Sequence, residues 1–279
     1  MINVNGQLVS PKSCFTNRGF KFGDAVFETL KIAHAKLLFW EDHYLRLMAS
    51  MRILRMEIPM HFTMEFLKAE ILKTVSGNHL SGLPVRIRLT VYRNSEGYYL
   101  PESNEIAYAI EVKELKNVQY TITDDAYVVD LFKDYHVNSG LLSTLKTTNR
   151  AINIVGSIYA QENNYDNCLL LNEAKNVIEA LNGNIFMVVN DSIKTPPVKD
   201  GCINGILRKQ LIKIATENNY VLEESSISSF ELQNADELFI TNVIMGIQPV
   251  TKYRKKEYGI KVASQFTAAL NVYCNKTGV

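Results

Sequence analysis

Apolar and polar residues alternate through residues 85–92 and again through 105–112. Within 41–56, by contrast, Leu45, Met48, Ala49 and Ile53 recur at helical spacing. A chain with both periods must bury one face of a sheet against one stripe of a helix. The pattern occurs in two blocks. In the first, 1–4 and 7–9 flank Asn5-Gly6, a two-residue hairpin signal. Strands are predicted over 27–33 and 36–39, and a second helix over 63–75, stopped by Gly77. In the second block, 120–131 reads as strand, and a Ser/Thr-rich stretch at 139–148 runs into a helix over 149–163. Short strands follow over 168–171, 177–179 and 185–189, the last closed by a turn at Asn190-Asp191. A helix over 205–218, strands over 221–224, 237–241 and 247–250, and a helix over 261–275 complete the block. The polar stretch 113–119 is the expected connection. The reading is α+β in two domains: 1–117, a smaller N-terminal α/β domain, and 118–279, a larger C-terminal one.

Several classes drop out. At 279 residues and 47% hydrophobic, the chain can bury a core without disulfides or metals. Lys+Arg 30 against Asp+Glu 29 leaves no basic excess for nucleic acid or an anionic membrane surface. The basic cluster Arg254-Lys255-Lys256 reads as a solvated turn. No apolar run approaches the roughly 18–20 residues of a membrane helix, and the N-terminus lacks the pattern of a signal peptide. Cys14, Cys168, Cys202 and Cys274 lie far apart, as buried thiols of a cytoplasmic protein do. His34, His43, His61, His79 and His136 show no metal spacing, so no metal site is expected. The GxxxxGK[ST], GxGxxG, HExxH and GxSxG patterns are all missing.

Three segments carry the chemistry. The first runs Arg18-Gly19-Phe20-Lys21-Phe22-Gly23-Asp24-Ala25-Val26-Phe27-Glu28-Thr29, and the second Leu145-Lys146-Thr147-Thr148-Asn149-Arg150. The third runs Val177-Ile178-Glu179-Ala180-Leu181-Asn182-Gly183-Asn184-Ile185-Phe186, followed by Thr195-Pro196 and Gly205-Ile206-Leu207-Arg208. In this order the chain resembles the class IV aminotransferases, the pyridoxal-phosphate (PLP) enzymes of fold type IV, over residues 18–250. That group includes branched-chain and D-amino-acid aminotransferases and 4-amino-4-deoxychorismate lyase. The resemblance implies a two-domain, D-amino-acid-aminotransferase-like fold with cofactor binding in the larger domain. It also implies PLP, a small-molecule amino substrate and a homodimer.

Roles follow residue by residue. Lys146 resembles the lysine that bonds PLP. A position just before a helix would disfavour its charged form by a few tenths to about 1 kcal/mol, as a nucleophilic amine requires. Glu179 resembles the carboxylate that keeps the pyridine nitrogen protonated. The N–H groups of Ile206 and Leu207 open a helix, a natural anion site for the phosphate, and Arg46 resembles the family's phosphate arginine. Val243 stands where aminotransferases often carry a threonine that also reaches the phosphate.

The subgroup is read from spacing. Two residues separate Lys146 from Asn149, similar to the lyase and D-amino-acid pattern, whereas branched-chain enzymes have three. Thr29 resembles a lyase active-site threonine, and Asn242 a lyase asparagine at the cofactor site. The loop Arg93-Asn94-Ser95-Glu96-Gly97-Tyr98-Tyr99 lacks the second arginine of an Arg-Gly-Tyr element found in several lyases. Arg93 remains as a candidate clamp for a substrate carboxylate. The resemblance therefore implies a lyase that releases pyruvate and 4-aminobenzoate, in folate synthesis. An aminotransferase for D- or branched-chain amino acids is the alternative.

Overall fold

The computed structural model describes residues 1–9, 17–123 and 125–277. Contacts divide the chain into two compact units. One holds Met1–Gln119, Lys146–Asn149 and Cys274–Val279; the other holds Tyr120–Leu145 and Arg150–Tyr273.

In the first unit the elements are β1 (Ile2–Val4), β2 (Gln7–Val9), α1 (Arg18–Phe22), β3 (Ala25–Ala33) and β4 (Lys36–Leu37), then α2 (Trp40–Ile53), α3 (Met64–Gly77), β5 (Val85–Arg93) and β6 (Ile106–Glu114). The strands form one six-stranded antiparallel sheet in the order β2-β1-β6-β5-β3-β4. Alternation makes Val85, Ile87, Leu89 and Val91 one buried row of β5, packed with Leu47, Met48 and Met51 of α2 and with Leu67, Ile71 and Val75 of α3. Glu41 and Asp42 in the first turn of α2 and Arg52 in its last complement the helix dipole. Thr63 Oγ1 caps α3 by accepting from Phe66 N–H at 3.2 Å.

Two local readings shift here. Gly77 is the last helical residue of α3 rather than the stop beyond a helix ending at Val75, and the cap is Asn78. A Cβ at Gly77 would meet Leu8 Cδ1 of β2, so that side chain would have to shift to admit any other residue. The short helix α1, unmarked by periodicity, depends on its caps: Asn17 Oδ1 accepts from Phe20 N–H at 2.8 Å, and Gly23 closes the turn at φ 66°.

The second unit holds β7 (Val128–Val137), α4 (Ala151–Glu162), β8 (Asn167–Asn172), β9 (Asn176–Ala180), β10 (Gly183–Val189) and β11 (Ser192–Thr195). It continues through α5 (Ile206–Glu217), β12 (Leu222–Glu224), β13 (Ile227–Ser228), β14 (Glu237–Asn242), β15 (Gly246–Val250), β16 (Lys252–Tyr253), β17 (Lys256–Glu257) and α6 (Lys261–Thr277), of which the residues up to Tyr273 belong to this unit. An eleven-stranded sheet runs β12-β11-β10-β9-β8-β7-β16-β17, with β13 on β9 and the pair β14–β15 on β10. The strand expected over 120–131 lies later in the chain, because β7 is set by parallel pairing with β8 and β16. Tyr120 is tied instead by side chains: its N–H donates to Asn271 Oδ1 at 3.0 Å, and its hydroxyl to Val243 O at 2.6 Å. Arg254 and Lys255 form the exposed turn between β16 and β17, as expected of the basic cluster. Cys168, Cys202 and Cys274 are free and buried; Cys14 lies outside the described residues. Among the described residues no helix is long and apolar enough to cross a membrane.

Candidate active site

In the first unit the chemistry gathers on β3. Glu28 belongs to the row of Val26, Leu30 and Ile32, which faces the helices. His43 and Arg46, three apart on α2, both reach it. Arg46 Nε donates to Glu28 Oε1 at 2.8 Å and Nη2 to Oε2 at 2.5 Å; His43 Nδ1 lies 2.7 Å from Oε2. Burial by itself would raise the Glu28 carboxyl, but the Arg46 guanidinium and His43 outweigh it and bring it down to about 2. Burial holds the His43 imidazole below its ordinary value, against the pull of Glu28.

The other row of β3 carries Phe27, Thr29 and Lys31. The Lys146 segment adds to this strand as a short antiparallel edge. Phe27 N–H donates to Lys146 O at 2.9 Å, Thr148 N–H to Ala25 O at 3.0 Å, and Val26 bridges Thr147. Lys146 Nζ stands 4.4 Å and Arg88 Cζ 3.9 Å from the Phe27 ring centroid. Thr29, half-buried, pairs with Arg88 in the β3–β5 register. A close approach fixes Gly23, at positive φ, where a Cβ would stand 3.2 Å from Asn149 Cβ. The helix expected next to Lys146 starts at Ala151.

Arg93 does not stand ready for a substrate. Its Nε donates to Asp24 Oδ2 at 2.9 Å, Nη1 to Asn104 Oδ1 at 2.6 Å and to Arg55 O at 3.3 Å, and Nη2 to Leu54 O at 2.7 Å. The guanidinium is spent inside the fold. Arg18, buried, organises the same loop: it donates to the carbonyls of Glu96, Gly97, Tyr98 and Tyr99 and to Asp24 Oδ2. The tip Tyr98-Tyr99-Leu100 is left exposed.

In the second unit, Glu179 of β9 is 4% exposed, and its Oε2 accepts from Ile203 N–H at 2.9 Å. Asn184, opposite it on β10, donates Nδ2 to Ile203 O at 2.8 Å. Gly205 is the N-cap of α5, and a Cβ there would collide with Asn184 Oδ1. No side chain caps α5 and no acidic residue occupies its first turn, where Ile206 and Leu207 lie. The first N–H groups of a helix have no carbonyl partner within it, so this end presents donors and positive potential. Asn242 ties its own turn to the turn between β9 and β10: Nδ2 donates to Asn182 O at 3.1 Å, and Oδ1 accepts from Ile244 N–H at 3.0 Å and Met245 N–H at 2.9 Å. Its side chain builds the turn after β14, where Val243 brings no hydroxyl.

Taken unit by unit, the donor chemistry is of the kind PLP needs: the first holds an amine on the edge of β3, and the second a buried carboxylate and an uncapped helix start behind Gly205. The family model for amino-transferase class IV matches residues 25–253. The chain belongs to the class IV aminotransferase family. Class IV aminotransferases are PLP enzymes, so this is an enzyme whose cofactor is PLP. The chain is 27% identical to a D-alanine aminotransferase of Bacillus licheniformis over 257 residues, covering 88% of this chain and 86% of that protein. Its fold is that of a Thermoproteus uzoniensis branched-chain aminotransferase solved with norvaline, at TM-score 0.87 and 22% identity, over 99% of this chain and 95% of the other. A Legionella pneumophila structure named as a candidate 4-amino-4-deoxychorismate lyase matches at TM-score 0.80 and 22% identity, over 95% of this chain and 96% of that one.

Sequence reasoning passed over Glu28, His43, Arg88 and Asn184 in this class IV chain. Signals existed for two. An acidic residue within the apolar run of β3 needs a buried partner, and the polar row of β5 places Arg88 beside Thr29. His43 and Asn184 gain their meaning only from contacts distant in sequence.

Proposed function

We propose that the chain is a PLP-dependent lyase that splits 4-amino-4-deoxychorismate into pyruvate and 4-aminobenzoate. The observation that carries this reading is the shared row of β3: Thr29 lies on the same side as Phe27, over whose ring Lys146 Nζ stands. Elimination needs one group to remove a proton and another to serve the departing group. When bound, PLP supplies an electron sink for the carbon that loses its proton. Lys146 Nζ takes that proton from the amine-bearing ring carbon. The carbon–oxygen bond to the enolpyruvyl group breaks, and Thr29 serves that group as it leaves to become pyruvate. The ring is left aromatic.

Other residues hold the parts in place. Arg46 and the N–H groups of Ile206 and Leu207 take the phosphate, and Glu179 the ring nitrogen. With Arg93 committed to Asp24 and Asn104, Arg88 beside Thr29 is the cation for a substrate carboxylate. We also infer a homodimer in a reducing, cytoplasmic compartment, consistent with the buried free thiols.

The second reading is transamination of D- or branched-chain amino acids. Two observations favour it: relatives bearing the name D-alanine aminotransferase, and Asn242 occupied in its own turn. It uses the same Lys146, which returns the proton to a different atom. Purified enzyme offered 4-amino-4-deoxychorismate should yield 4-aminobenzoate and pyruvate, and Lys146→Ala should lose both the products and the yellow colour. Fast keto-acid formation from D- or L-amino acids with 2-oxoglutarate or pyruvate, and no 4-aminobenzoate, would overturn the lyase and leave PLP dependence standing.

A further inference from the structure

Glu28 is a carboxylate sealed in the first unit, 1% exposed, between two donors of α2. The Nε–Nη2 edge of Arg46 forks onto its two oxygens, and His43 Nδ1 meets Oε2 at 2.7 Å. An ionised carboxylate only accepts, so the proton of His43 sits on Nδ1. Burial keeps the ring neutral, which leaves Nε2 as a bare acceptor. Nε2 is buried and has no hydrogen-bond partner among the described residues. The imidazole therefore has one tautomer and one bond, and both serve Glu28.

Arg46 is fixed in turn. A guanidinium is planar, so an edge locked on Glu28 sets the direction of the opposite edge. An arginine arrested before its ligand arrives loses less rotamer freedom on binding. Glu28 also offsets part of the Arg46 charge. What the arrangement gains is aim rather than field strength.

We propose that Glu28 and His43 are positioning residues for Arg46, and that together they set how strongly this chain prefers a phosphorylated cofactor over its unphosphorylated form. The proposal rests on the reading that Arg46 holds the phosphate. Neither residue touches the cofactor; both act through the guanidinium.

The test compares the affinity of the cofactor-free enzyme for PLP and for pyridoxal, which lacks the phosphate. Arg46→Ala gives the ratio without the arginine. Glu28→Gln turns one accepting oxygen into a donor facing donors, and His43→Leu removes the N–H. Each should lower the PLP-to-pyridoxal ratio about tenfold or more, the usual scale for a charge-assisted hydrogen bond, and leave pyridoxal affinity in place. His43→Asn returns an N–H at the position of Nδ1 and should restore the ratio. If His43→Leu does not fold, Glu28→Asp replaces it: drawing the carboxylate back by one methylene should lower the ratio in the same way. Equal losses for both ligands would mean a merely structural role and overturn the proposal. So would an unchanged ratio in Glu28→Gln and His43→Leu while Arg46→Ala lowers it. An unchanged ratio in Arg46→Ala would overturn the underlying reading of Arg46, and the proposal with it.

Discussion

Glu179 and Asn184 close on the same residue from adjacent strands: Glu179 Oε2 accepts from Ile203 N–H at 2.9 Å, and Asn184 Nδ2 donates to Ile203 O at 2.8 Å. One residue held at both its N–H and its carbonyl fixes where the turn into α5 begins. The carboxylate assigned to the ring nitrogen and the helix start assigned to the phosphate thus share one anchor. Asn184 also fills the space beside Gly205, so the anchor and the glycine depend on each other.

Gly205→Ala should therefore loosen both. The added Cβ would drive Asn184 off Ile203, and overpacking of this kind costs about 1–3 kcal/mol. We expect a lower Tm for the cofactor-free protein together with weaker PLP binding. Asn184→Ala in the same background should recover part of the Tm, because the collision is removed. Thermal unfolding with and without PLP checks both.

Arg46→Ala should weaken PLP binding roughly 10- to 150-fold, the equivalent of about 1.5–3 kcal/mol for a hydrogen bond to a charged group. It also leaves Glu28 buried without its cation, so the Tm should fall as well. Titration of the cofactor-free enzyme measures the first effect. An affinity that stays unchanged would confine Arg46 to its pair with Glu28.

Thr29→Ala should slow pyruvate release and leave PLP bound through Lys146. A lost proton-transfer partner costs about 10²–10⁴-fold, and a merely orienting hydroxyl far less. The size of the fall in pyruvate formation, read beside an unchanged cofactor spectrum, assigns the role. Full activity in Thr29→Ala would remove this residue from the mechanism.

Acid should act on the first unit through Glu28. Its folded pKa of about 2 lies below the ordinary value of 4.5, so its contribution is complete above pH 4.5 and is lost as pH falls through 2. Glu28→Gln, already lacking the charge, should show a flatter loss of stability across that window. Urea unfolding at a series of pH values, fitted for the variant and the parent, checks the difference.

Much of the fold is local and was legible. The Asn5-Gly6 hairpin and the alternating rows of β5 and β6 depend on residues a few positions apart, and the structure holds them within a residue or two. The stripe of α2 is a correction: Leu45 and Ala49 are exposed, and Leu47, Met48 and Met51 face the core, because packing on β5 selects the face one step round the helix. Lys146, Glu179 and Gly205 were legible for a different reason: their spacing along the chain is that of a family. The strand expected over 120–131 was not legible. A strand's extent is set by its partners, and β7 takes its extent from β8 and β16.

The sequence by itself determined that an amine, a carboxylate and a glycine at a helix start follow one another in the family's order, since these are properties of residue type and order. Only the tertiary structure decided what those residues are free to do. It laid Lys146 along β3 beside Phe27, clamped Arg46 with Glu28, spent Arg93 on Asp24 and Asn104, and turned Asn242 into a brace between two turns. The physical reason is that a polar group satisfies the nearest partner the fold brings to it. Those partners lie far away in the chain for Lys146, Arg46 and Arg93; Asn242 has one distant partner, Asn182, and two, Ile244 and Met245, that take shape only once the turn has formed.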